Sequence, residues 1–329
     1  MSRHAPTFWH RKPGIAARAL APLGMIYAAG TARRLKGTSE KVSVPVICVG
    51  NINAGGTGKT PTVIMLAQIL LADGVAVHIV SRGYGGTEKG PIAVDERTHT
   101  AAQVGDEPLL MAAFAPTWVS DSRVLGAKAA IAAGAQAIVL DDGFQDPSLA
   151  HYLSIVVVDA ARGFGNGYCL PAGPLREPVS TGLARADLLL SVGGPEDQAI
   201  FDQNWQDKIG GVARLRGELK PLQMGFDWAG HRVLAFAGIG HPQKFFQTLR
   251  ALGADVVRAE ALEDHQPFTR AMLTRLETEA RLTGTQLVTT EKDAARLPRS
   301  FRPQVMALPV RLELQDPTPL RTRLTALGL

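Results

Sequence analysis

The sequence predicts an α/β protein: a P-loop NTPase-like parallel sheet domain, a second, smaller α/β domain after it, and an N-terminal membrane-associated helix. Three observations carry that prediction. A short β-branched run (Val46, Ile47, Val49) leads into the glycine-rich GNINAGGTGKTP and then into an apolar helical pattern, the strand–loop–helix order of a phosphate loop. Apolar runs of strand length alternate with helical stretches after that loop, and the pattern restarts at Arg232. The first 41 residues differ from all the rest in charge and in their small apolar side chains. The expected divisions are 1–37 for the N-terminal helix, 38–224 for the phosphate-loop domain and 225–329 for the smaller one.

The N-terminus is read from its charge. The net charge is +5, yet residues 1–41 hold eight Lys or Arg against one acid, Glu40, leaving 27 basic and 29 acidic residues elsewhere. The basic character is local, so no nucleic-acid face and no nucleic-acid partner are expected. Between Lys12 and Arg33 runs GIAARALAPLGMIYAAGTA, interrupted by Arg18 and Pro22. Its uncharged part, Ala19 to Ala32, is about 14 residues, short of the roughly 20 that a spanning helix needs. A signal peptide has a similar layout, but a phosphate loop just downstream needs cytosolic ATP. Between a plain core helix and a helix lying in the membrane interface, the interfacial reading accounts for more residues. Its basic flanks would meet anionic headgroups, and Trp9 and Tyr27 would sit at the polar boundary.

With 46% hydrophobic and 20% charged residues the chain is globular. Cys48 and Cys169 lie far apart, in an apolar strand and a loop, which argues against a disulfide framework and for a reducing compartment.

The phosphate loop comes next. Asn53, Ala54, Gly55, Gly56, Thr57, Gly58, Lys59, Thr60 and Pro61 form the expected ATP-binding stretch. Gly55, Gly56 and Gly58 let backbone amides close around phosphate oxygens. Lys59 would reach the β- and γ-phosphates, the Thr60 hydroxyl would sit on Mg²⁺, and the following helix adds its N-terminal partial charge. Asn53 stands where the general pattern has glycine; asparagine tolerates a left-handed backbone, so the turn stays feasible.

A helix over 61–73 and a buried strand VAVHIV (75–80) follow, then Ser81-Arg82-Gly83-Tyr84-Gly85-Gly86, either a plain connection or a substrate loop carrying Tyr84. Asp106 and Glu107 open a helix over 108–114. They are either N-terminal capping acids or a base beside a metal carboxylate. Strand TWVS (117–120), Arg123 and a helix over 124–134 precede an apolar strand ending in Asp141-Asp142. Two acids at a buried strand end repel unless a cation neutralises them, which points to Mg²⁺. Strand 154–160 leads into RGFGNGYCLPAGPLREP (162–178), whose four glycines and three prolines exclude regular structure. A loop this long is functional or disordered, and its ordered hydrophobics with Arg176-Glu177 argue for function.

Strand 186–192 follows, and 193–224 has weak signals suited to a linker. The smaller domain has strands over 233–240, 255–262, 286–293 and 305–314 with helices between them. Asp264-His265 follow its second strand, where sites form. No N-K-x-D element follows a strand at the right spacing, so a GTPase is not expected. A phosphoryl transfer to a hydroxyl needs the loop, Mg²⁺ and a base, and the chain offers Lys59/Thr60, Asp141/Asp142 and Asp106 or His265.

Taken together, GNINAGGTGKTP, SRGYGG, VGDEP, DDGFQ, GNGYCLPAGPLREP, AFAGIGHPQKFF, EDH and TTEKDAARL resemble the tetraacyldisaccharide 4′-kinase family of lipid A biosynthesis over about residues 9 to 297. The resemblance implies transfer of the ATP γ-phosphate to the 4′-hydroxyl of a tetra-acylated glucosamine disaccharide 1-phosphate. It also implies a bacterial inner-membrane enzyme held on the cytoplasmic face by its N-terminal helix. It assigns Asp106 as the base with His265 as its partner, and Glu107, Asp141 and Asp142 as acids around Mg²⁺. Tyr84, Arg123 and Arg176 would meet the disaccharide and its phosphate. The family often has a second histidine after His265; here it is Gln266. No oligomer is predicted. Two other classes share some of these features. A P-loop ligase would not need the basic amphipathic N-terminus, and a membrane-surface ATPase switch would not need the long 162–178 loop.

Overall fold

The computed structural model describes residues 6–222, 225–264 and 266–329. A short 3-10 turn (Thr7–His10) precedes α1 (Ile15–Arg34). β1 (Val46–Gly50), α2 (Lys59–Ala72), β2 (Val77–Ser81), β3 (Ile92–Ala93), α3 (Ala101–Val104) and α4 (Asp106–Met111) follow. Then come β4 (Thr117–Val119), α5 (Arg123–Ala132), β5 (Ala137–Asp141), β6 (Leu153–Asp159), α6 (Val179–Leu183), β7 (Leu188–Val192), α7 (Pro195–Trp205) and β8 (Ala213–Pro221). A second group runs β9 (Arg232–Ala237), α8 (Pro242–Ala251), β10 (Asp255–Ala261), α9 (Arg270–Thr283), β11 (Gln286–Thr290), α10 (Glu291–Arg296) and β12 (Val305–Leu308). β13 (Val310–Leu314) and α11 (Thr318–Ala326) come last.

Among the described residues, nine strands form one sheet in the order β13-β8-β7-β6-β1-β5-β2-β4-β3, and four form another, β10-β9-β11-β12. Pairing is parallel from β8 across to β4, with β13 and β3 antiparallel at the edges. The small sheet is parallel throughout. Parallel strands covered on both faces are buried on both, which is why VICVG, AIVLD and LSIVVVD are unbroken apolar runs. One face packs Ile47, Val139 and Leu190 against α2 through Val63, Leu66 and Leu70. The other packs Phe144, Phe164 and Phe201 against β6 and β7. β1 lies between β5 and β6, where the strand order reverses, and the crevice beyond its carboxyl end is where such sheets bind ligands.

Two stretches differ from the sequence expectation. Residues 193–224 are no linker: α7 and β8 occupy them, and β8 extends the large sheet. Its alternating Arg214, Arg216, Glu218 and Lys220 hid the strand, because only Leu215 and Gly217 turn inward. The run over 305–314 is not one strand but two. It breaks at Pro309, β12 joining the small sheet and β13 crossing to the large one. Residues 310–329, assigned by sequence to the smaller domain, therefore bury Leu312, Leu320 and Leu324 in the core of the nine-stranded sheet.

α1 runs unbroken through Pro22 for 20 residues. By length and composition it is long and apolar enough to cross a membrane. It touches the fold along one narrow seam, Ala17, Gly24 and Thr31, two turns apart. A Cβ on Gly24 would stand 2.8 Å from the carbonyl oxygen of Cys169, so glycine permits the close approach of α1 to the 162–178 loop. Ile15, Leu23, Met25 and Ile26 face outward. The Trp9 indole N–H donates to the Pro171 carbonyl at 3.0 Å. Cys48 and Cys169 are both free and buried.

Candidate active site

The loop after β1 is shaped by its own side chains. The Asn51 amide donates to the Gly55 carbonyl at 3.2 Å and to Thr57 Oγ1 at 3.1 Å. Gly55 and Gly58 have φ of 108° and 97°, which only glycine adopts without strain, and a Cβ on Gly55 or Gly56 would meet nothing within 4 Å. α2 starts at Lys59 with no side chain capping it, so its first amides are left for an anion. Asn53 is not in the left-handed region; its amide instead donates to the Gly163 carbonyl at 3.0 Å. Ala54 N–H donates to the Pro174 carbonyl at 2.7 Å, and Arg176 N–H to the Ile52 carbonyl at 2.7 Å. The long 162–178 loop is thus ordered and wraps the phosphate loop, burying Phe164, Ala172 and Leu175.

The acids at the end of β5 take different partners. Asp141 is buried; its Oδ2 accepts from the Ser81 hydroxyl at 2.9 Å and its Oδ1 has no hydrogen-bond donor. Burial, then the charges of Glu107 and Asp142, push its carboxyl up to about 7. Asp142 has φ of 51°, the one non-glycine positive φ among the described residues, and the strain sits at the site. Arg176 forks onto both its oxygens at 3.1 and 3.3 Å, and Lys59 Nζ lies 3.7 Å away. Burial alone would raise the Asp142 carboxyl, but Lys59 and Arg176 outweigh it and hold the group low. Gln145 ties the set together, donating to the Asn51 carbonyl and to Glu177, while Arg185 pairs with Glu177 from the other side.

Asp106 and Glu107 open α4 at the opposite wall. The 81–88 loop runs beside α3, with Thr87 and Glu88 N–H donating to the Ala102 and Gln103 carbonyls, and so sets the turn that carries Asp106. Asp106 is 5% exposed and its Oδ1 accepts from the Glu107 amide. From the second sheet, Lys292 Nζ donates to Glu107 Oε1 at 3.0 Å and stands 3.9 Å from Asp106 Oδ2. Arg296 Nε is 3.8 Å from the same oxygen. Burial would lower the Lys292 pKa, but Glu107, Asp106 and Asp264 together raise it, so the ammonium stays charged.

The phosphate loop, the paired acids and the GDEP turn are thus gathered at one crevice, Lys59 lying 3.7 Å from Asp142 and the Glu107 charge acting on Asp141. A model of the family described as LpxK, tetraacyldisaccharide-1-P 4′-kinase, matches residues 16–328. The chain belongs to this family. The tetraacyldisaccharide 4′-kinase of Dinoroseobacter shibae is 61% identical over 98% of this chain and 97% of its own. That of Jannaschia is 62% identical over 96% of each. The crystal structure of the LpxK of Aquifex aeolicus in complex with ATP is 27% identical, covers 96% of this chain and all of that one, and superposes with a TM-score of 0.75.

Within this family frame, several expected site residues are placed differently than their motifs suggested. Tyr84 is 76% exposed on its loop, open to a ligand. Arg123 is 2% exposed, so it offers no surface to a substrate here. Its guanidinium donates to the Asp142 carbonyl at 2.7 Å and lies 3.6 Å from Asp146, so it supports the strained turn from below. Arg176, expected on the substrate, donates to Asp142 and Gln145. Among the described residues no three His, Cys, Asp or Glu are gathered as a ready metal site, which differs from the expected set of Glu107, Asp141 and Asp142. Asp142 pairs with Arg176 and Lys59, whereas Asp141 Oδ1 has no donor. Mg²⁺ commonly takes only one or two carboxylates plus phosphate oxygens, and the donor-free Asp141 Oδ1 suits it. His265 lies outside the described residues. Sequence reasoning missed Lys292 and Arg296. TTEKDAARL was recognised as a motif, yet nothing local marks its cations as facing GDEP.

Proposed function

We propose that this chain transfers the γ-phosphoryl group of ATP to the 4′-hydroxyl of a tetra-acylated glucosamine disaccharide 1-phosphate, in lipid A biosynthesis. The observation that carries the reading is the family match over 16–328 combined with the joining of the phosphate loop, Asp141 and Asp106 in one crevice. The uncapped amides of α2 and the Gly55–Gly58 backbone hold the phosphates, and Lys59 meets the β- and γ-oxygens. Thr60 and Asp141 would hold Mg²⁺, with Glu107 beside them; bound there, the ion neutralises charge on the phosphate oxygens. Asp106 takes the proton of the 4′-hydroxyl as its oxygen bonds to the γ-phosphorus, the bond to the bridging oxygen breaks, and ADP leaves. His265 is proposed as the partner of Asp106 on its motif alone.

The exposed apolar side chains of α1, between Arg11/Lys12 and Arg33/Arg34, support attachment to the cytoplasmic leaflet of the bacterial inner membrane, where the acylated acceptor resides. The deciding experiment is transfer of ³²P from γ-labelled ATP to a lipid A disaccharide precursor in detergent micelles with Mg²⁺. Labelled lipid is expected with the wild-type chain and none with Lys59→Ala. ATP hydrolysis that leaves the lipid unlabelled refutes the kinase reading in favour of a membrane-surface ATPase.

A further inference from the structure

Helix α10 is a rigid bracket between the two sheets. Its start is pinned to the large sheet, because Glu291 takes both the Arg311 guanidinium and the Val310 amide of β13. Its first turn is capped by Thr290 Oγ1, which accepts from the Asp293 amide. Asp293, wholly buried, accepts from Gly238 N–H at 3.0 Å and pairs with Arg296. Arg296 in turn donates to the Gly238 and Gln266 carbonyls. These contacts anchor the helix, and two of its side chains reach the other wall of the crevice: Arg296, held by Asp293 and two carbonyls with its Nε 3.8 Å from Asp106, and one whose amine is given to the GDEP turn. The second is Lys292, on Glu107 and beside Asp106.

Glu107 and Asp106 are adjacent acids, and the Glu107 charge also acts on Asp141. Without a cation they repel one another and Glu107 is free to turn toward Asp141. We propose that Lys292 is a positioning residue for the phosphoryl transfer: from the second sheet it fixes the Asp106–Glu107 pair, so that the GDEP turn is set for catalysis only while α10 packs on α4. The proposal rests on the kinase reading and on Asp106 as base. It makes phosphoryl transfer depend on a charge delivered across the cleft, whereas ATP binding depends on the phosphate loop of the first sheet alone.

The test is steady-state kinetics of the full chain in detergent with ATP, Mg²⁺ and the disaccharide acceptor. Lys292→Met keeps the stem and removes the charge. It is expected to lower kcat about tenfold or more while KM for ATP moves by less than about threefold. Lys292→Arg, which keeps the charge, is expected to recover most of the loss. In a Glu107→Gln background, where the partner charge is gone, Lys292→Met should cost less than about threefold further, a coupling that a merely structural residue does not show. The proposal is overturned if Lys292→Met keeps kcat within about threefold, if the two losses multiply, or if the loss falls on KM for ATP. Asp106→Asn is measured alongside. If it turns over normally, the base reading fails and this proposal with it; if it is dead while Lys292→Met is active, only this proposal fails.

Discussion

Asp141 offers a stability test that needs no substrate. It ends β5 with every side covered, one oxygen on Ser81 and the other without a donor. Burial, reinforced by Glu107 and Asp142, moves its carboxyl from an ordinary 3.8 to about 7. The folded chain therefore binds this proton more tightly than the unfolded chain does. Between those two values the folded state holds more protons, so stability is full below the lower one and is lost as pH rises through the upper one. A displacement of that size corresponds to about 4 kcal/mol as an upper bound, at about 1.4 kcal/mol per pH unit. Asp141→Asn removes the charge and keeps the shape. Without nucleotide it should be the more stable protein at about pH 8, by a few kcal/mol or on the order of 5 °C in Tm, and the gap should close toward about pH 4. Mg²⁺ with ATP should then raise the Tm of the wild type more than that of the variant, since only the carboxylate gains a counter-charge. Thermal and urea denaturation at both pH values measure this. A variant no more stable than wild type at the higher pH, or a gap unchanged by pH, refutes the assignment of Asp141 as the uncompensated charge of the site.

Two further outcomes follow from contacts already described. Asn53→Ala removes the amide bond to the Gly163 carbonyl that ties the phosphate loop to the 162–178 loop. A hydrogen bond worth about 1 kcal/mol predicts a rise in KM for ATP of about fivefold with a smaller change in kcat, read by steady-state kinetics. Replacing Leu23, Met25 and Ile26 by serine alters only outward-facing positions of α1. Losing three apolar side chains at about 1.5 kcal/mol or more each should cut cosedimentation with anionic vesicles more than tenfold while Tm moves by no more than about 3 °C.

Local sequence carried most of the first sheet because its central strands are buried on both faces. Val46–Gly50, Ala137–Asp141 and Leu153–Asp159 had to be continuous apolar runs, and such runs are visible without knowing what pairs with them. The same holds for the phosphate loop, whose glycines answer to backbone angles set within a few residues. Where a residue answers to a distant one, legibility ended. β8 shows alternating charge because it lies near the sheet edge, and β13 belongs to the large sheet only because the chain crosses back after Pro309. Asn53 was read as a concession to backbone geometry, but its reason is a carbonyl 110 residues away.

Arg123 and Arg176 were read as facing a ligand, because an arginine in a motif carries no mark of its partner. In the structure both hold the strained Asp142 turn. Lys292 is the clearest case. Thr290 and Asp293 on either side of it are explained by capping within their own helix, so the motif looks locally complete. Its lysine answers in part to Glu107, an acid 185 residues earlier in sequence. A motif whose capping residues answer within their own helix can still owe its lysine to the facing unit, as Lys292 does. Here the facing unit is the GDEP turn, which carries Asp106, the proposed base.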